Sequence, residues 1–146
     1  MMASSSTKLY TPRLLALSAE LARFPLSGSF DYQAEARSRT CGSTIEVGAN
    51  LDATGRVANT GMQVTACAVG QSSAAIMALS AERVTADAFT TALDEIEAWL
   101  AGEGGLPTWP GFDALEPALD HKGRHGALLL PWKAMVDALS SAPTPS

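Results

Sequence analysis

Residues 63–79 read QVTACAVGQSSAAIMAL, and the reading of this stretch decides the fold. Its first part continues an alternation through Met62, Val64 and Ala66 that marks a strand. Its second part, from Ala68 onward, is a compact run of small and apolar residues suited to a closely packed helix. Cys67 stands at the junction, on what the pattern predicts to be a helix start. There, unpaired backbone N–H groups and the positive end of the helix dipole favour a thiolate.

Working upstream, the strand that ends at Cys67 starts near Arg56, with Gly61 inside it as an expected bulge or bend. Before it, Ile45, Val47, Ala49 and Leu51 alternate with Thr44, Glu46, Gly48 and Asn50, and DATG (52–55) turns that strand back. An earlier strand is marked by Tyr32, Ala34 and Ala36 alternating with Gln33, Glu35 and Arg37. Ahead of the strands, Leu14, Leu17, Leu21 and Phe24 recur at helical spacing, with Thr11 as N-cap and Pro12 at N1. This predicts a helix over 12–24, stopped by Pro25.

Downstream, Phe89, Leu93, Ile96 and Leu100 form one amphipathic helix, and Leu128, Trp132, Met135 and Leu139 form another. AGEGGLPTWPG (101–111) links the first of these to a short helix carrying Phe112, Leu115 and Leu119, with Trp109 as a loop anchor. One helix, three sequential strands and then helices imply an α+β domain. The expected architecture is a three-stranded antiparallel meander sheet packed against an N-terminal helix and several C-terminal helices. A single domain is expected over 9–140, with 1–8 and 141–146 as flexible tails.

Composition narrows the function. Fifteen acidic against ten basic residues give a formal charge of −5 without a basic stripe, which argues against a nucleic-acid partner. No apolar run reaches the roughly 18 residues of a bilayer span, and MMASSSTKLY lacks the apolar core of a secretory signal, so a soluble, cytoplasmic protein is expected. In a reducing compartment two cysteines do not read as a structural disulfide. No triad motif or phosphate-binding glycine loop is present.

In an antiparallel meander, the end of the first strand, the start of the second and the end of the third share one edge of the sheet. Cys41, in TCGS between the first two strands, and Cys67 are therefore expected as neighbours at one rim. His125, in DHKGRHGALLLPW, precedes the last helix at a junction that could face the same rim. Thiolates and imidazole together suit zinc or iron–sulfur chemistry. The alternatives remain open: two cysteines can serve as small buried hydrophobes, and a loop histidine beside arginine can be a surface residue.

Three segments resemble the IscU/NifU N-terminal-domain family of iron–sulfur cluster assembly scaffolds, in particular its SufU-like branch. They are CGSTIEV (41–47), ACAVGQSSAAIM (66–77) and GFDALEPALDHKGRHGALLLPWKAM (111–135), and the resemblance spans about Leu9 to Leu139. It implies a SufE/NifU-like fold in which Cys41 and Cys67 match the family's first two cysteine ligands. Ser43 occupies the place of the family's aspartate, His125 that of its histidine, and Gly126 that of its third cysteine. Two usual ligands are thus absent, and a site of Cys41, Cys67 and His125 would need a fourth donor from outside.

The function this implies is a non-enzymatic scaffold or carrier that holds a transient iron–sulfur cluster, with a cysteine desulfurase and recipient apoproteins as partners. One alternative is a zinc-assisted sulfur acceptor for the desulfurase. A second is a metal-free docking module that keeps the fold. Oligomeric state is left open.

Overall fold

The computed structural model describes residues 9–39 and 42–142. Cys41 lies outside the described residues, as do 1–8 and 143–146. The first helix, α1 (Pro12–Ala19), begins as its sequence requires: Thr11 Oγ1 accepts the Leu14 N–H at 3.1 Å and Pro12 fills the first turn. The expected helix over 12–24 ends differently. From Glu20 to Arg23 it tightens into a 3₁₀ turn, and Phe24 leaves helical space at φ −126°, ψ 60°. The residue before a proline is pushed out of the α region, so Pro25 acts one position early.

The sheet is the expected meander, β1 (Tyr32–Arg37), β2 (Thr44–Leu51) and β3 (Val57–Thr65), in the order β1-β2-β3 and antiparallel throughout. Asp52 shapes the β2–β3 turn: its Oδ1 accepts from Thr54 N at 2.9 Å, Thr54 Oγ1 at 2.6 Å and Arg56 N at 3.1 Å. Gly55 takes the left-handed conformation at φ +83° that closes it.

The irregularity expected at Gly61 lies elsewhere. The register shifts between Asn50 and Leu51, opposite the start of β3, while Gly61 pairs regularly with Gly48. This glycine pair makes room for the Phe30 ring. A methyl group at Gly48 would meet ring carbon Cγ at 2.5 Å, and one at Gly61 would meet the ring's far end at 2.8 Å and run into the Pro25 carbonyl. The loop after α1 is thereby laid across the sheet, where Met62 N–H donates to Phe24 O at 2.9 Å.

Next comes α2 (Ala68–Leu79), with every residue from Val69 to Ala78 buried except Gln71. It is a central helix, packed against α1, and its serines supply the cross-links. Ser72 Oγ donates to Leu14 O at 2.6 Å, and Ser73 Oγ donates to Leu128 O at 2.6 Å while accepting from Trp132 Nε1 at 2.9 Å. α3 (Ala86–Leu100) follows, capped by Thr85, whose Oγ1 accepts from Ala88 N at 3.2 Å.

The short helix expected around Phe112 is a 3₁₀ segment, Phe112–Asp120, with Pro117 inside it, and a further turn at Lys122–Arg124 leads into α4 (His125–Leu139). α4 packs on α2, on α3 and on one face of β1 and β2. Trp109 anchors its loop by donating Nε1–H to Ile76 O at 2.9 Å, and its ring meets Trp132 edge-on at 4.8 Å between centroids. Among the described residues, no helix is long and apolar enough to cross a membrane.

Candidate metal and sulfur site

The sheet register builds the site. Thr44 at the start of β2 pairs with Thr65 at the end of β3, so the residues just before β2 lie beside those just after β3. At this rim Gly42, Ser43, Thr65, Ala66 and Cys67, joined by Arg124, line a pocket of about 290 Å³.

Cys67 is the N-cap of α2, with extended backbone at φ −67°, ψ 172°. Its carbonyl begins the helix by accepting Gln71 N–H at 2.9 Å, but its side chain makes no capping bond. The thiol is half-buried and unbridged. It lines the pocket at the end of the helix where backbone N–H groups have no intrahelical acceptor.

The close packing expected of the small residues after Cys67 is present at Gly70. A methyl group there would meet Ala66 Cβ at 2.8 Å and Ala127 Cβ at 3.3 Å. Gly70 thus lets the first turn of α2 approach the first turn of α4. Arg124, just before α4, thereby lines the same pocket as Cys67.

The residue of this segment that lines the pocket is Arg124; His125 is not among the lining residues. His125 Nε2 lies 2.9 Å from Leu119 O and 3.2 Å from Ala118 O. Carbonyl oxygens only accept, so Nε2 carries the proton and Nδ1 is the nitrogen of the neutral ring with a lone pair to offer. A metal-binding histidine is held in this way by its second nitrogen, and so is a purely structural one.

Ser43 is buried and lines the pocket where the resemblance puts a carboxylate. Arg124 is the pocket residue that periodicity did not single out, although it directly precedes His125 in the sequence. A cation beside the thiol changes what the site can hold: it offsets anionic sulfur ligands and opposes a bare divalent cation. Among the described residues no three His, Cys, Asp or Glu side chains group closely enough to hold a metal ion. The donors described therefore do not close a coordination sphere by themselves. A larger pocket of about 520 Å³ between α3 and the Trp109 loop, lined by Val84, Ala92, Glu95 and Trp109, contains no thiol or imidazole.

A three-stranded antiparallel meander with this helix order and a rim thiol at a helix N-terminus defines the class. No protein-family model and no curated protein sequence matches the chain. Solved structures do. The N-terminal domain of a nitrogen-fixing NifU-like protein from Brucella abortus superimposes with a TM-score of 0.85 at 30% identity, over 94% of this chain and 96% of that one. A protein from Fervidobacterium islandicum, named as an iron–sulfur cluster assembly scaffold for the SUF system, shares the fold with a TM-score of 0.81 at 19% identity, over 92% of this chain and 98% of that one. The chain belongs to the NifU-like N-terminal-domain family.

Proposed function

We propose that this protein is an iron–sulfur cluster assembly scaffold or carrier, holding a transient cluster at the rim through Cys67, Cys41 and His125. The observation that carries the reading is the Cys67 thiol, unused in capping and facing a rim pocket at the open end of a buried helix. Family membership and the scaffold role named for the Fervidobacterium relative support it.

The cluster is cargo in this reading. Cys67 supplies one thiolate, and Cys41, two residues before Ser43 in the sequence, supplies a second. His125 would coordinate through Nδ1, because Nε2 is committed to the Leu119 and Ala118 carbonyls. Fewer anionic donors than a closed four-thiolate site leave a position for an external thiol or a partner's residue, which suits release to a recipient apoprotein. Arg124 offsets the negative charge of a thiolate-ligated cluster. Sulfur arrives from a cysteine desulfurase, and residues 9–140 act as one cytoplasmic, non-enzymatic domain.

The test is anaerobic reconstitution with a desulfurase, cysteine and ferrous iron, followed by visible absorption and by iron and acid-labile sulfide analysis. Wild type is expected to gain iron and sulfide in near-equal amounts, and Cys67→Ala, Cys41→Ala and His125→Ala to lose them. Stoichiometric zinc without sulfide would favour the zinc-assisted acceptor. A colourless, metal-free protein that still binds the desulfurase would leave a docking module.

A further inference from the structure

The groove of about 520 Å³ between α3 and the Trp109 loop takes no part in the rim site. Ser80, the C-cap of α2, lines it, whereas Cys67 stands at the other end of the same helix. The length of α2, about 18 Å, separates the two, so an occupant of the groove leaves the rim thiol open.

The groove is built in advance of any occupant. Ala88, Ala92 and Glu95 recur on one face of α3 and form one wall. Trp109 on the other side is fixed by its Nε1–H, which donates to Ile76 O at 2.9 Å, and by the Phe89 ring, 5.5 Å away between centroids. Glu95 ties the walls together, its Oε1 accepting from Thr108 N at 3.0 Å and Thr108 Oγ1 at 3.1 Å. Walls already ordered lose little freedom on binding.

Its surroundings define what fits. Leu15, Leu79 and Leu106 are the exposed large hydrophobic residues of the described chain, and two of them adjoin lining residues in sequence: Leu79 precedes Ser80, and Leu106 lies just before Pro107 and Thr108. Apolar surface concentrated around a cavity marks a protein contact. Glu95 is the one charged residue lining the groove, and nothing among the described residues donates to its Oε2. Asp87 and Asp94 share its helix, and no Lys or Arg occurs from Val84 to His121. The end of α2 at Ser80 adds partial negative charge, with no basic residue in the last turn. Arg56 and Arg83 belong to the opposite, Val84 end, where Arg56 Nη1 donates to Arg83 O at 3.1 Å, about three helical turns from Glu95.

We propose that this groove docks a basic amphipathic segment of a partner protein, a Lys or Arg side chain donating to Glu95 Oε2 and apolar side chains covering Val84, Ala88 and Trp109. The carboxylate decides the chemistry of the occupant. A wholly apolar segment would cover Oε2 and leave it without a donor, and an acidic one would set like charge against Glu95 and Asp94. A cationic side chain supplies the donor and the opposite charge together.

Panning a phage-displayed random heptapeptide library on the immobilised full chain tests the proposal, with enriched peptides synthesised and titrated by calorimetry. Expected are sequences that combine Lys or Arg with Leu, Ile, Phe or Trp. Glu95→Gln keeps an acceptor for Thr108 but loses the charge, and should weaken their binding about fivefold. Ala88→Phe, at an exposed position, fills the groove and should weaken it at least as much; circular dichroism checks that both variants fold. The proposal is overturned by a library that yields no enriched peptide, by enrichment of acidic or uncharged sequences, or by basic peptides that bind either variant as tightly as wild type.

Discussion

Replacing Ser73 by alanine removes one oxygen from the joint between the two helices that meet at the site. Ser73 and Trp132 are fully buried, and the hydroxyl both donates to Leu128 O at 2.6 Å and accepts from Trp132 Nε1 at 2.9 Å. The variant forfeits one net hydrogen bond, about 1 kcal/mol, and leaves the indole N–H buried without an acceptor, a further 1–2 kcal/mol or so. Leu128 O loses less, because a carbonyl inside a helix has another donor. The expected loss is about 2–3 kcal/mol, or roughly 5–10 °C in Tm for a chain of this length. Urea and thermal melts followed by tryptophan fluorescence measure it. In a Trp132→Phe background the same change should cost about 1 kcal/mol less, since no indole N–H remains to be orphaned. A loss below about 0.5 kcal/mol in the otherwise wild-type protein, or identical costs in both backgrounds, would refute the reasoning. The functional corollary is that Ser73→Ala should bind less iron and sulfide on reconstitution even below its Tm, because α2 carries Cys67 at its start and α4 carries His125 at its own.

The remaining predictions are local. Gly61→Ala drives a methyl into the Pro25 carbonyl and the Phe30 ring and should cost about 2–3 kcal/mol, whereas Gly105→Ala, with open space around it, should be neutral or slightly stabilising; chemical denaturation of both separates steric exclusion from a general intolerance of substitution. Hydrogen bonds from the Thr54 side chain, then from the backbone of Arg56 and Thr54, hold the Asp52 carboxyl below the usual carboxylate range. Its folded-state pKa is therefore the lower one, and its contribution is fully present above the unfolded pKa and fades as pH falls through the folded value. Asp52→Asn should be less stable than wild type at neutral pH by an amount that shrinks in acid, as melts across the acidic range would show; a constant difference would contradict the assignment.

Much of the fold was legible because its signals are local. The alternation at Ile45, Val47 and Ala49 makes a strand one of whose faces must be covered, and the spacing of Leu128, Trp132, Met135 and Leu139 makes a helix to cover it. The DATG turn joins β2 to β3, and three sequential strands leave the meander as the short-connection solution. That topology, read from chain order alone, was enough to expect Cys41 and Cys67 at one rim, and Cys67 lines a pocket there beside Ser43. Cys41 lies outside the described residues.

Local pattern could not show what depends on residues far apart in the chain. Gly61 looks like a strand defect in sequence; only the packed loop shows that it and Gly48 are small because Phe30 lies over them. Ser72 and Ser73 read as small helix-packing residues, yet each ties α2 to another helix through a hydrogen bond more than 50 positions away in the chain. The pocket followed the same logic. Sequence type singled out His125, since imidazole is a ligand and guanidinium is not, but the side chain that lines the cavity is Arg124. Which of two adjacent residues at a helix start turns toward Cys67 depends on how α4 docks against α2, and that docking is set by Gly70 and Ala127, which carry no chemistry of their own. The sequence by itself determined the elements, their order and the thiol at the helix start, because periodicity and capping act within a few residues. Only the tertiary structure decided what surrounds that thiol, because close packing is a property of pairs of elements.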